Sequence, residues 1–288
     1  MMTTALLQLE DHLTRLTLAP DLGGAIANWQ LLDGRPLLRH ADAEALAAGT
    51  PRRLGCYPLA PWSNRIGNGG FALPDGWLAL EPNSPDPYPI HGSAWQQPWD
   101  LLEQRDSLVR LGLESRQPFA YRAEQRFQLQ AGQLDIRLRV THQDPRATWY
   151  GLGLHPYFPR SANTRLLAAA DSAWLCGADK LPTERVALPA GWDFSTAAAL
   201  PDGLVDNGFA GWPGRCGILQ TDLGYRLDCS ASGCDSFLLF CPEGQGFFCF
   251  EPVTHPVNAH HLPGRPGLRL LAAGESLEIG WSMAVSLL

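Results

Sequence analysis

Between residues 124 and 142 the chain alternates cleanly: Phe127 and Leu129 lead into Ala131-Gly132, and Leu134, Ile136, Leu138 and Val140 follow with Asp and Arg between them. Successive side chains of a strand point to opposite faces, so period two on both sides of a short glycine turn predicts a β-hairpin with one wet and one dry face. The same period recurs over 108 to 116, over 237 to 251 with a turn at Gly244–Gly246, and over 277 to 288, where Leu277, Ile279, Trp281, Met283 and Val285 share a face. Only residues 42 to 48 read as helix, and 29 Gly with 24 Pro punctuate the remainder. Many short strands without helical interludes predict an all-β chain, a large antiparallel β-sandwich forming one domain over residues 1 to 288, rather than a parallel βαβ fold. No repeat of about 20 to 50 residues marks a propeller or solenoid. The tract EPNSPDPYPIHG (81 to 92) cannot run through the middle of a sheet, because proline lacks the ladder donor; it is a loop, and it delivers His91.

Composition narrows the partners. Apolar residues make up 45% of the chain and charged residues 18%, which is ample for a core and argues against disorder. Lys plus Arg number 22 against 29 Asp plus Glu, and no run of five like charges occurs, so neither nucleic acid nor an anionic membrane meets a concentrated positive surface. No apolar run reaches the ~18 residues of a membrane span, and the Met1-Met2 start lacks the pattern of an export signal. A cytoplasmic protein is expected, monomeric or weakly homodimeric. Seven cysteines form an odd set without a C-x-x-C pair or a His/Cys metal spacing; free buried thiols and no metal site are expected.

Candidate chemistry gathers where strands give way to turns. APWSNRIGNGGF (60 to 71) offers Arg65 as a rigid fork of donors for vicinal oxygens, with Asn64 beside it and Trp62 as an apolar wall. His91 lies in IHGSAWQQPW with Trp95 and Trp99 downstream, and aromatic planes stack on the C–H faces of sugars while polar side chains bind the hydroxyls. His155 closes GLGLHPYF, and imidazole is the side chain whose ordinary pKa lies nearest neutrality. Glu251 interrupts FFCFEPV, a run suited to a central strand, where an unpaired carboxylate is costly and its pKa is raised. Each segment also has a plain structural reading: a turn for 60 to 71, a surface histidine at 91, a core histidine at 155, and a turn for VDNGFAGW around Asp206. The adjacent His260 and His261 point apart, which is poor metal geometry. With no nucleophile elbow, phosphate loop or dinucleotide fingerprint, the residue set fits a reaction made only of proton transfers.

Taken in order, PWSNRI, IHGSAWQQPW, GLGLHPYF, DNGFAGW, and FEPVTHPVNA followed by LAAGESLE resemble the successive motifs of the aldose 1-epimerase (mutarotase) family over nearly the whole chain. The resemblance implies the galactose-mutarotase-like β supersandwich, a monosaccharide substrate, and no cofactor. It further implies interconversion of the α and β anomers of a free aldose through its open-chain aldehyde. By motif, Glu251 is the base that takes the anomeric proton and His155 the acid that protonates the ring oxygen, while Arg65, His91 and Asp206 hold ring oxygen and hydroxyls. Asn64 and Trp95 join them as candidate binders. Hexose-6-phosphate members carry an arginine shortly after the His-Gly pair where this chain has Trp95, which argues against a phosphorylated sugar. A sulfonated hexose is expected to meet Arg65 or the Arg265 and Arg269 loop, if any charged sugar is recognised. Asn258 stands where many members have aspartate. Two other readings stay open: a non-catalytic sugar sensor on the same sandwich, and a polysaccharide lyase or hydrolase, which would want a long groove and a second acid.

Overall fold

The dry faces read from period two meet one another. In a computed structural model, which describes residues 5–288, the hairpin of Tyr121–Gln130 and Gln133–His142 turns at Ala131 and Gly132, both at positive φ, and pairs in the register that alternation requires. It lies inside a nine-stranded antiparallel sheet whose next members are Ser276–Leu287, Tyr225–Ser232 and Arg215–Gln220 on one side and Leu108–Ser115 and Asp100–Arg105 on the other. Thr164–Ala168 and Phe194–Ala199 complete the far edge. The helix expected over 42 to 48 occupies Ala43–Ala47, capped where the Asp42 carboxylate accepts from the Ala45 N–H at 2.7 Å.

A second, eight-stranded sheet carries the other predicted hairpin, Ser236–Cys241 with Phe247–Val253. Val205–Ala210, Ser172–Cys176 and Pro182–Val186 follow on one side. The short strands Gly153–Leu154, Pro58–Leu59 and Tyr157–Pro159 lie on the other. The two large sheets pack face to face: Trp281 of the nine-stranded sheet stacks against Phe250 of the eight-stranded one, with ring centroids 6.2 Å apart. This is the layered arrangement that two amphipathic antiparallel sheets reach by burying their apolar faces together.

The eight-stranded sheet is covered on its second face as well. Phe248 and Phe250 point into the layer between the sheets, whereas Cys249 and Val253 belong to a separate core with Tyr57, Leu59, Trp95, Tyr157 and Leu238. That double burial explains why FFCFEPV lacks the polar alternation of the outer strands. The cover comes from the N-terminal three-stranded sheet (Leu7–Glu10, Thr14–Ala19 and Ala25–Leu31) and from the loops between 51 and 99. The proline-rich tract 81 to 92 contains no strand, as expected. Asn83 ties its end down: its amide oxygen accepts from the Ile90 N–H at 2.8 Å, and its amide nitrogen donates to the Gly92 carbonyl at 2.8 Å. At Gly92 itself a Cβ would lie 2.1 Å from the Ala60 oxygen, so only glycine permits this approach.

Phe237 marks the centre of the inter-sheet core, fully buried and stacked on Phe209 at 4.6 Å and on Phe250 at 4.4 Å. Replacing it with alanine is expected to cost ~3–5 kcal/mol of stability, read as a lower denaturation midpoint in urea; a loss below ~1 kcal/mol would show that this layer collapses around the gap.

Candidate active site

The short strand Gly153–Leu154 ends in front of Pro156, and the ring of His155 turns into the covered face of the eight-stranded sheet. Its backbone N–H donates to the Tyr57 carbonyl at 2.9 Å. The imidazole packs against two adjacent tyrosine rings, Tyr57 at 4.6 Å and Tyr157 at 4.7 Å, whose own centroids are 6.2 Å apart. Held in this stack, it brings Nε2 to 3.2 Å from the Glu251 carboxylate of the neighbouring Phe247–Val253 strand. Glu251 and Cys249 are two residues apart and so share the face opposite Phe250.

Burial acts on both members of this pair. It lowers the His155 pKa from 6.5 to about 3, with the positive charges of Arg39 and Arg52 adding to the effect. It raises the Glu251 pKa well above 4.5, an effect increased by Asp206 and opposed by Arg65. Imidazole with carboxylic acid and imidazolium with carboxylate differ by one proton transfer across 3.2 Å. Desolvation favours the neutral form. His155 Nδ1 and Glu251 Oε2 are buried without a hydrogen-bond partner, so the pair retains unspent polar capacity.

Around this pair the loops supply donors and acceptors. His91 adopts a left-handed backbone (φ 64), a strained conformation for a non-glycine residue, and is fixed by reciprocal bonds. Its N–H donates to the Asn64 carbonyl at 3.0 Å, and its Nδ1 accepts from the Asn64 N–H at 3.0 Å. Burial holds His91 neutral, its pKa well below 6.5, so with Nδ1 accepting, its proton resides on Nε2. Arg65 donates from Nε to Asp86 at 2.9 Å and approaches Asp206 at 3.8 Å; Lys180 reaches Asp206 at 3.2 Å. Asn258 accepts from the Gly67 N–H at 2.9 Å and donates its own N–H to the Arg65 carbonyl at 3.0 Å. At this position, where many family members have aspartate, it thus fastens the Arg65 loop.

His155, Glu251, Arg65, His91, Asn64 and Asp206 line one cavity of about 150 Å³. Four sequence readings are corrected. Trp95 does not line this cavity: its ring is buried behind Tyr57, 5.6 Å away, and its indole N–H donates to the Gly92 carbonyl. Asp206 lies in the strand Val205–Ala210, opposite Phe240, rather than in a turn. Trp62, Arg265 and Arg269 also stand away from the cavity; Trp62 packs on His260, and Arg265 stacks over Trp149. Conversely, Arg52, Tyr57, Asp86, Ile90, Tyr157 and Phe240 line it and were not singled out from the sequence. Tyr157 had a signal in GLGLHPYF, since two residues along an extended chain return to the same face.

A larger cavity of about 530 Å³ opens on the outer face of the nine-stranded sheet, but it holds no histidine or glutamate. His155, Cys249 and Glu251 place one donor atom each within 4.8 Å of one another. The Cys249 thiol is fully buried and its pKa is pushed well up, which disfavours the thiolate a metal would need.

Fold and site together are a doubly layered antiparallel sheet with a buried histidine–glutamate pair in a small polar cavity. The sequence profile of the family described as aldose 1-epimerase matches residues 6–283. The chain is also 34% identical to the uncharacterised Escherichia coli K12 protein YphB, across 92% of this chain and 93% of that one. A crystal structure from E. coli K12 assigned to the aldose 1-epimerases superposes with a TM-score of 0.92 at 33% identity, covering 99% of both chains. A galactose mutarotase-like protein from Clostridium acetobutylicum shares the fold, with a TM-score of 0.87 at 17% identity over 98% of this chain and 95% of its own. The chain therefore belongs to the aldose 1-epimerase family, isomerases acting on carbohydrates.

Burial of Glu251 carries a stability cost that grows with pH. Because the folded pKa lies above 4.5, the native state gives up its proton less readily than the unfolded chain, so stability falls as pH rises through the folded value. Glu251→Gln is therefore expected to be more stable than the parent, with an advantage that widens from about pH 5 to about pH 8 in paired thermal melts. An advantage independent of pH would mean that Glu251 is not destabilised as a charge.

Proposed function

We propose that the protein is an aldose mutarotase in which Glu251 and His155 open and reclose the sugar ring. The 3.2 Å contact between Glu251 and His155 carries this reading. Glu251 as carboxylate takes the proton of the C1 hydroxyl, the C1 carbonyl forms, the C1–O5 bond breaks, and O5 receives a proton from the His155 imidazolium. Rotation about C1–C2 presents the other face of the aldehyde, and the same steps in reverse close the ring as the opposite anomer.

Ring opening converts the pair from its charged to its neutral form. A site that disfavours buried charge therefore favours opening, and the substrate's own hydroxyls supply the hydrogen bonds that admit the charged form beforehand. His91, with its proton on Nε2, serves as a fixed donor to ring or hydroxyl oxygen. Asp206 and Arg65 bind hydroxyls from the side of Glu251, and Asn64 holds Arg65 and His91 in place. The small cavity suits a monosaccharide better than a polymer. The chemistry is carried by side-chain acid-base groups alone.

Anomer exchange measured by NMR on freshly dissolved α-D-glucose and α-D-galactose is expected to be faster with protein than with buffer. Glu251→Gln and His155→Ala should each lower the rate by about 10²- to 10⁴-fold. Full activity in Glu251→Gln would remove it as the base, and sugar binding without exchange in the parent protein would make the protein a sensor.

A further inference from the structure

Arg52 is the cation of this site without a carboxylate. Its one side-chain hydrogen bond among the described residues runs from Nη2 to the Ser84 hydroxyl at 3.2 Å, and its buried Nε has no partner. By contrast Arg65 is already occupied by Asp86 and Asp206, and Lys180 by Asp206. Arg52 also stands on a boundary. It lines the cavity of the His155–Glu251 pair and equally a neighbouring cavity of about 350 Å³ walled by Thr50, Asn83, Ser84 and Trp95. The guanidinium lies over the Trp95 ring, 5.0 Å from its centroid, so Trp95 supports an arginine from another part of the chain.

The strand order fixes which end of a sugar would face Arg52. On one side of Phe247–Val253 lie Ser236–Cys241 and then the Asp206 strand; on the other lie Gly153–Leu154, which leads into His155, and Pro58–Leu59, which follows Tyr57, with Trp95 packed on Tyr57 and Arg52 over Trp95. With O1 at Glu251 and O5 at His155, the atom bonded to O5 on the side away from C1 is C5. Its exocyclic carbon then extends towards Arg52 and the second cavity. We propose that Arg52 selects an aldose carrying a tetrahedral oxyanion, phosphate or sulfonate, on the carbon attached to C5; the guanidinium held over Trp95 offsets the arginine missing at that position, whose absence argued against a phosphorylated sugar. The inference rests on the mutarotase reading and supplies its substrate class. A guanidinium whose Nη1 makes no hydrogen bond among the described residues, beside the Ser84 hydroxyl, is a donor set suited to such an oxyanion.

The test compares glucose, glucose 6-phosphate and 6-deoxy-6-sulfoglucose by anomer-exchange NMR in the parent protein, Arg52→Ala and Arg52→Lys. The parent is expected to have a higher kcat/KM for at least one anionic sugar than for glucose, and the two anionic arms separate phosphate from sulfonate. Arg52→Ala should lower the anionic-to-neutral ratio by about 10- to 100-fold, the loss of a charge-assisted contact, with Arg52→Lys retaining part of it. An unchanged ratio in both variants, or a parent that prefers glucose, overturns the proposal while leaving the mutarotase reading intact. Should the parent exchange no aldose, that reading fails first, and calorimetric titration with glucitol 6-phosphate, which cannot mutarotate, decides Arg52. Binding that is weakened about tenfold or more in Arg52→Ala supports it, and absence of binding to the parent overturns it.

Discussion

A strand covered on both faces has no solvent side on which to place a charge, and Glu251 sits in the middle of one. Phe250 commits one face of Phe247–Val253 to the layer between the sheets, and Cys249 and Val253 commit the other to the smaller core. Wherever its side chain points, the carboxylate is desolvated. The other features of the site follow from answering that cost: a histidine at hydrogen-bonding distance, two tyrosines fixing its plane, and Arg65 near enough to oppose the rise in pKa. A carboxylate buried in this way costs stability, as polar groups at functional sites commonly do.

The loops solve a different problem, which is precision on segments that make few ladder bonds. His91 lies at the end of a tract of prolines, where regular pairing is unavailable. Its position comes instead from Asn83, which grips the backbone on both sides of it, and from Asn64, which exchanges bonds with it directly. Asn258 does the same for the Arg65 loop. Asn83 and Asn258 therefore replace the missing sheet through their side-chain amides, which offer a donor and an acceptor a short reach from the backbone, while Asn64 does so with its own backbone N–H and carbonyl. Of these, only Asn64 carries a functional reading from the sequence, since an asparagine in a loop gives no sign of which distant backbone it will tie.

The hairpins were legible because period two assigns faces without knowledge of the partner strand, and Gly244–Gly246 and Ala131-Gly132 mark their turns. FFCFEPV was legible for the opposite reason: an unbroken apolar run leaves only the doubly covered strand, and so singles out Glu251. Alternation cannot say which sheet covers the second face. Tyr57 and Arg52 reach the cavity from a segment about a hundred residues before His155, so their approach to it depends on packing between elements far apart in sequence. Asp206 misled for a local reason. Asp-Asn-Gly is turn chemistry, yet pairing of Val205–Ala210 with Ser236–Cys241 overrode that propensity. Trp95 misled in the reverse direction, since an aromatic beside a histidine-glycine pair fits a sugar platform as well as the ring that packs beneath the platform.

The symmetry of the proposed reaction adds a last constraint. Closing the ring on either face of the aldehyde uses the same two groups in the same order, so neither member can be so strong an acid or base that it traps one state. Sharing one proton over 3.2 Å meets this condition, because whatever stabilises imidazole also lowers the cost of the protonated carboxyl beside it. The tyrosine stack restricts rotation of the imidazole ring while leaving its edge open to Glu251. In the proposed reaction a pair that is neutral when empty and charged when engaged would be poised by burial itself, and the apolar run that first marked Glu251 as out of place would be the source of its chemistry.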